Sequence, residues 1–275
     1  FFPTVYRDAV DALAEEPVRV LMTLGTEVDP FDLGPVPENG VAPETLRRAA
    51  ASAVRALAGA QRVAVALPVD QGDGGPAALR AIAEGALLGA YRFAGYKTKP
   101  VPGQRDPVTA VTLHVADASD RTARNEVKRA SIVVAAVTRA RDWVNTAPNE
   151  LRPPDFAACV AEAATEAGLD VEVLDEKALK KAGYGGILAV GLGSDAPPRL
   201  VMLSYTPKGA TRSVALVGKG ITFDTGGYAV KPAQGMWEMK SDMSGAAAVA
   251  SVMIALAALK PKVQVRAYLP MAENM

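Results

Sequence analysis

The chain has 275 residues, enough for two domains that each bury a core. Lys+Arg and Asp+Glu are both 30, so no net charge draws it toward nucleic acid or an anionic membrane. One cysteine, Cys159, excludes an internal disulfide and favours a reducing compartment, and one histidine, His114, gives little support to an imidazole zinc site or a Ser-His-Asp triad.

In chain order, residues 18–25 ("VRVLMTLG") predict a strand, and 29–44, rich in Pro, Gly and acid, a surface loop. Residues 44–58 place apolar side chains at helical spacing. "QRVAVALP" (61–68) is the next strand, 75–93 a helix entered through Pro76, and "AVTLHVAD" (110–117) a strand with His114 packed in its middle. Strands separated by helices imply an α/β layer structure. The first residues carry no signal-peptide pattern, and no run approaches the roughly 18 apolar residues of a membrane span.

A long helical pattern then covers 120–144 and is broken by "NTAPNELRPPDF". It is expected to connect two domains, giving an N-terminal α/β domain over 1–119, a connecting segment over 120–146 and a second α/β domain from 147 to 275. In the second domain helices are expected at 153–168, 176–183 and 244–260, and strands at 169–175, 198–205, 213–219 and 262–270. Cys159 falls on an apolar helical stripe and reads as a buried structural thiol. The chain stops at "MAENM", directly after a strand, so the second domain is expected to be interrupted there.

Two stretches of the second domain hold the chemistry: "VGKGITFDTGGYAVKP" (217–232) and "MKSDMSGAAAV" (239–249). The glycines do not build a phosphate loop: the position five residues before Gly218, where the first glycine would stand, is Ser213, and Gly220 follows Lys219. "GLGSDA" fits the dinucleotide spacing but runs into Pro197 and Pro198 instead of a helix, so it reads as a turn. Taken singly, Lys219 and Asp224 at and just beyond a strand end read as a surface ion pair. Asp242 with Ser241 and Ser244 reads as a helix cap, and Lys231 as extended backbone before Pro232. Taken together they put two carboxylates and two amines within 24 residues around one strand end. Carboxylates suit hard divalent cations, and a lysine joins them once its amine is neutral.

With "NTAPNELRP" and "EGALLGAYRFAGYKT" added, these stretches resemble the cytosolic (leucyl) aminopeptidase family, the two-metal M17 peptidases. The resemblance implies a macro-like N-terminal α/β domain joined by a long helix to an α/β catalytic domain that is incomplete in this chain. It implies a cytoplasmic homo-hexamer that cleaves N-terminal, preferably apolar, residues from peptides with two divalent metals, Mn or Zn, and a bicarbonate proton shuttle. Position by position, Lys219 and Asp242 would ligate one metal, Asp224 would bridge both, and Lys231 would polarise the scissile carbonyl. Ser244 stands where the family has glycine, and the family's remaining acidic ligands and bicarbonate-binding arginine are expected after Met275. The alternative is an inert, family-derived binding or assembly subunit. Neither reading calls on a membrane or a nucleic acid.

Overall fold

The structure, a computed structural model, describes residues 19–22, 41–67, 75–99 and 101–275. It divides into two units, Phe1–Val134 and Ala135–Met275. The loop expected at 29–44 and the end of the first expected strand lie largely outside the described residues.

In the first unit, β1 (Arg19–Met22), β2 (Arg62–Ala66) and β3 (Ala110–Leu113) form a parallel sheet in that order. Parallel neighbours require crossovers, and α1 (Pro43–Ala56) and α2 (Gly75–Gly89) supply them. Pro43 suits the first turn of α1 because its missing N–H would have no partner there. Leu46, Ala50 and Val54 of α1 meet Leu79, Ile82 and Ala86 of α2 over Val63 and Val65 of β2. These positions follow the helical and strand periods seen in the sequence. His114 lies one residue past β3 rather than mid-strand, because the ladder with β2 ends at Leu113; its N–H still donates to the Val65 carbonyl at 3.0 Å.

The helix expected at 120–144 is α3 (Arg121–Asn145), with Asp120 oxygens accepting the N–H groups of Thr122 and Ala123 at its start. The boundary between the units falls inside it.

The second unit comprises α4 (Pro153–Glu166), β4 (Asp170–Leu174), α5 (Glu176–Lys181), α6 (Gly185–Val190), β5 (Arg199–Tyr205), β6 (Ser213–Val217), β7 (Gly220–Asp224), α7 (Ser244–Leu259) and β8 (Gln264–Asn274). The last strand to form in sequence, β8, is central. It pairs antiparallel with β5 on one side, and parallel with both β6 and β7 on the other. β4 closes the β5 edge, antiparallel. Alternate residues of β8, Val265, Ala267, Leu269 and Met271, are buried with Val201 and Leu203 of β5. Over them lie Phe156, Val160 and Ala164 of α4, and Ala246, Ala247, Ala250 and Met253 of α7. Phe156 is fully buried and meets Trp143 edge-on at 5.6 Å; burying such a ring contributes about 1.5–3 kcal/mol.

Several expectations need correction. Residues 220–224, read as loop, form β7, because the rear half of β8 offers them a partner. β8 itself continues through "PMAEN" to Asn274 rather than ending at 270. α6 was not foreseen, since "YGGILAV" opens on two glycines, poor helix formers. Cys159 is exposed: Phe156, Ala157, Val160 and Ala164 make the buried stripe of α4, and Cys159 lies off it. By length and composition alone, Met236–Leu259 reaches what a membrane span requires, contrary to expectation. Its helix instead buries alanines against the sheet.

Candidate metal centre

β6 and β7 run in one line along β8 and part at Gly218–Lys219. The interruption has a cause in packing. A Cβ on Gly218 would lie 2.6 Å from the Gly245 carbonyl oxygen and 2.7 Å from Ala246 Cα, so only glycine lets the strand joint approach the first turn of α7. There the Lys219 carbonyl accepts the Ala246 N–H at 2.8 Å, satisfying one donor that the helix leaves unpaired. This contact brings Lys219 beside Asp242, two residues before α7, with Nζ 2.8 Å from Oδ2. Asp242 does not cap the helix, nor do Ser241 or Ser244, whose hydroxyls donate to the Glu238 and Ser241 carbonyls. The capping reading is thereby corrected: the chain enters α7 through a 3-10 turn, Met236–Ser241, the cap position falls on Met243, and both serine hydroxyls donate back to carbonyls of that turn.

Asp224 ends β7. Between Ile221 and Asp224 the register to β8 shifts, two residues on β7, Thr222 and Phe223, facing one on β8, Glu273. Such a bulge re-aims the side chain beyond it. Asp224 Oδ2 accepts from Lys231 Nζ at 2.7 Å, and Oδ1 accepts from the Gly226 N–H at 3.0 Å and from Asn274 Nδ2 at 2.7 Å. Lys231 returns to Asp224 because the intervening loop turns on Gly226 and Gly227, both at positive φ, and closes with Lys231 N–H donating to the Thr225 carbonyl at 2.9 Å. Met239 Sδ, on the 3-10 turn, lies 3.0 Å from the same ammonium. Burial pushes the Asp224 carboxyl up, but the Lys231 ammonium and the Gly226 and Asn274 donors outweigh it and hold the group down at about 2.

The structure thus pairs Lys219 with Asp242 and Lys231 with Asp224. Among the described residues no three carboxylate, imidazole or thiol groups come together. Asp242 Oδ2 bears on the fit of a metal. It is buried and, although Lys219 Nζ is 2.8 Å away, it takes part in no well-formed hydrogen bond. A buried carboxylate oxygen with unused lone pairs, next to an amine that ligates when neutral, is a donor set that fits a divalent cation.

Three residues escaped the sequence reading. Asn274 and Met239 touch the Asp224–Lys231 pair, and buried Glu273 accepts from Arg152 Nη2 at 2.8 Å and from the Ser194 hydroxyl. The available signal was a polar Glu-Asn pair closing an otherwise apolar strand.

Comparison with known proteins follows the same division. Residues 138–275 match the model of the catalytic domain of the cytosol aminopeptidase family, and residues 20–100 match that of its N-terminal domain. A probable cytosol aminopeptidase of Streptomyces avermitilis is 50% identical over 252 residues, covering 88% of this chain and 48% of the relative. That of Streptomyces coelicolor is 46% identical over 273 residues, covering 94% and 50%. Among solved structures, the bottromycin maturation enzyme BotP in complex with Mn superposes with a TM-score of 0.77 at 39% identity, over 87% of this chain and 50% of that one. The chain therefore spans about half the length of the curated relatives it matches.

Proposed function

The chain belongs to the cytosol aminopeptidase family, and from that membership we propose that it serves a metalloaminopeptidase that removes N-terminal residues, preferably apolar ones, from peptides. The observation that carries this reading is the pair of lysine–aspartate contacts on one strand line, with a buried Asp242 oxygen left for a cation. Lys219 and Asp242 would hold one divalent metal, Mn or Zn, and Asp224 would bridge to a second; further ligands, and an arginine holding bicarbonate, would come from the part of the relatives' length this chain does not span. Bound there, such metals supply Lewis acidity and an acidified water.

The chain's own residues do the rest. Asp224, ionised at any physiological pH, keeps a full negative charge at the strand end. Lys219 ligates only after losing its proton, so cation binding strengthens as pH rises. Lys231 is held over Asp224 at 2.7 Å, and its Nζ donates a hydrogen bond to the oxygen that gains charge as the peptide carbonyl is attacked. The loop glycines let the backbone place that ammonium without strain. The reading extends to a cytoplasmic protein acting on peptides, in keeping with the names of the relatives, and to a homo-hexamer.

The test is metal content and leucine-amide hydrolysis of the protein and two variants. Asp224→Ala should lose both metals and Asp242→Ala one. Equal loss in both variants removes the bridging role, and retention of metal in both removes the site.

A further inference from the structure

Asn274, the last residue of β8, holds the Asp224 loop at three points. Its Nδ2–H donates to Asp224 Oδ1 at 2.7 Å. Its carbonyl accepts the Thr225 N–H at 2.9 Å and the Thr225 hydroxyl at 3.0 Å. Its Oδ1 lies over Gly227, where an added Cβ would come within 3.0 Å. The backbone contact already ties the loop to the strand, Lys231 already neutralises the Asp224 charge, and the Gly226 N–H is a second, longer donor to Oδ1 at 3.0 Å. What the side-chain amide adds is orientation. A carboxylate turns broadly about its last torsion, and a fixed donor on each oxygen sets its plane.

We propose that Asn274 is a positioning residue that fixes the plane of the Asp224 carboxylate for a divalent cation. The inference rests on the reading of Asp224 as a metal ligand. The donor stands on a braced strand end. Glu273, 3% exposed, accepts from Arg152 and Ser194, and the Met275 carbonyl oxygen would be 2.5 Å from a Cβ on Gly193. Residues that orient metal ligands in this way typically cost 10–100-fold in affinity when lost.

The experiment compares wild-type protein with Asn274→Ala and Asn274→Leu. The leucine keeps the branched outline of the side chain but has no donor and no charge, and neither change touches the backbone carbonyl. Two quantities are read: the Mn²⁺ dissociation constant by titration calorimetry, and the thermal midpoint in EDTA. The expected result is a dissociation constant raised roughly 10–100-fold in both variants, with the EDTA midpoint moved by less than about 4 °C. At saturating Mn²⁺ KM should be unchanged. A leucine variant that binds Mn²⁺ within about twofold of wild type overturns the proposal. So does failure of both variants to fold, which makes Asn274 a fold residue. Wild-type protein that binds no Mn²⁺ overturns the metal reading of Asp224 itself, a result seen before any variant is made.

Discussion

Replacing Asp224 by asparagine tests whether the carboxylate is stabilised by charge or only by shape. The folded protein holds this group at about 2, against an ordinary value of 3.8. At about 1.4 kcal/mol per pH unit, the difference corresponds to about 2.4 kcal/mol as a ceiling. The Lys231 side chain is 34% exposed, so solvent screens part of it, and about 1–2 kcal/mol is expected. Because the folded value is the lower one, the unfolded chain binds the proton more tightly. The stabilisation is therefore complete above about pH 5, declines as pH falls through 3.8, and is gone below about 2. Urea unfolding of wild type and Asp224→Asn in EDTA, at pH 7, 5, 4 and 3, reads the gap directly. The gap should be flat from pH 7 to 5 and clearly smaller at pH 3. A gap as large at pH 3 as at pH 7 would show that the variant suffers from a misplaced amide rather than a lost charge, and would refute the ion-pair account.

Two further changes probe the same strand line. Lys231→Ala should leave metal content intact and lower kcat for leucine amide by about 10²–10³-fold, the scale of one lost oxyanion donor; near-normal turnover would return Lys231 to the surface. Gly218→Ala should force the β6–β7 joint away from α7, costing about 1–3 kcal/mol in urea unfolding, and should weaken Mn²⁺ binding by displacing Lys219; unchanged stability would show that the close approach is not required.

Much of the fold was legible because its signals are local. α1, α4 and α7 declare themselves by apolar spacing and β5 and β6 by short apolar runs, and the structure places them within a few residues of expectation. The misses come from tertiary contact. "GITFD" becomes a strand only because β8 passes beside it, and β8 extends to Asn274 for the same reason. Neither follows from propensity. The four candidate residues could be named from the sequence, but from spacing alone their pairing could not; only the family resemblance put Lys219 with Asp242. Lys219 is nearer in sequence to Asp224 than to Asp242, yet the Gly218 crossing at α7 brings it to Asp242, while the Gly226–Gly227 turn folds Lys231 back to Asp224. Asn274 and Glu273 stayed invisible because their roles exist only where β8 meets β7 on one side and Arg152 on the other.

A lysine beside each acid supplies a countercharge, and at Asp242 the proposed metal asks in addition for an amine that can ligate. The Asp224 and Asp242 side chains are 17% and 20% exposed, and a carboxylate removed from water needs a countercharge or hydrogen-bond donors beside it. Arginine could neutralise them, but it never gives up its proton and so could not become a ligand. Histidine could ligate, but near neutral pH it would carry the countercharge only in part. Lysine does both: protonated, it neutralises the acid; deprotonated beside a cation, it coordinates. The two lysines nonetheless stand in different surroundings. Lys219 is 58% exposed beside an acid whose near oxygen has no well-formed hydrogen bond, a partnership open to rearrangement. Lys231 is less exposed, is joined to Asp224 by a hydrogen bond of good geometry, and has a thioether against it. The two lysines thus differ in exposure and in how firmly each is held by its acid, a difference in keeping with the separate roles proposed for them.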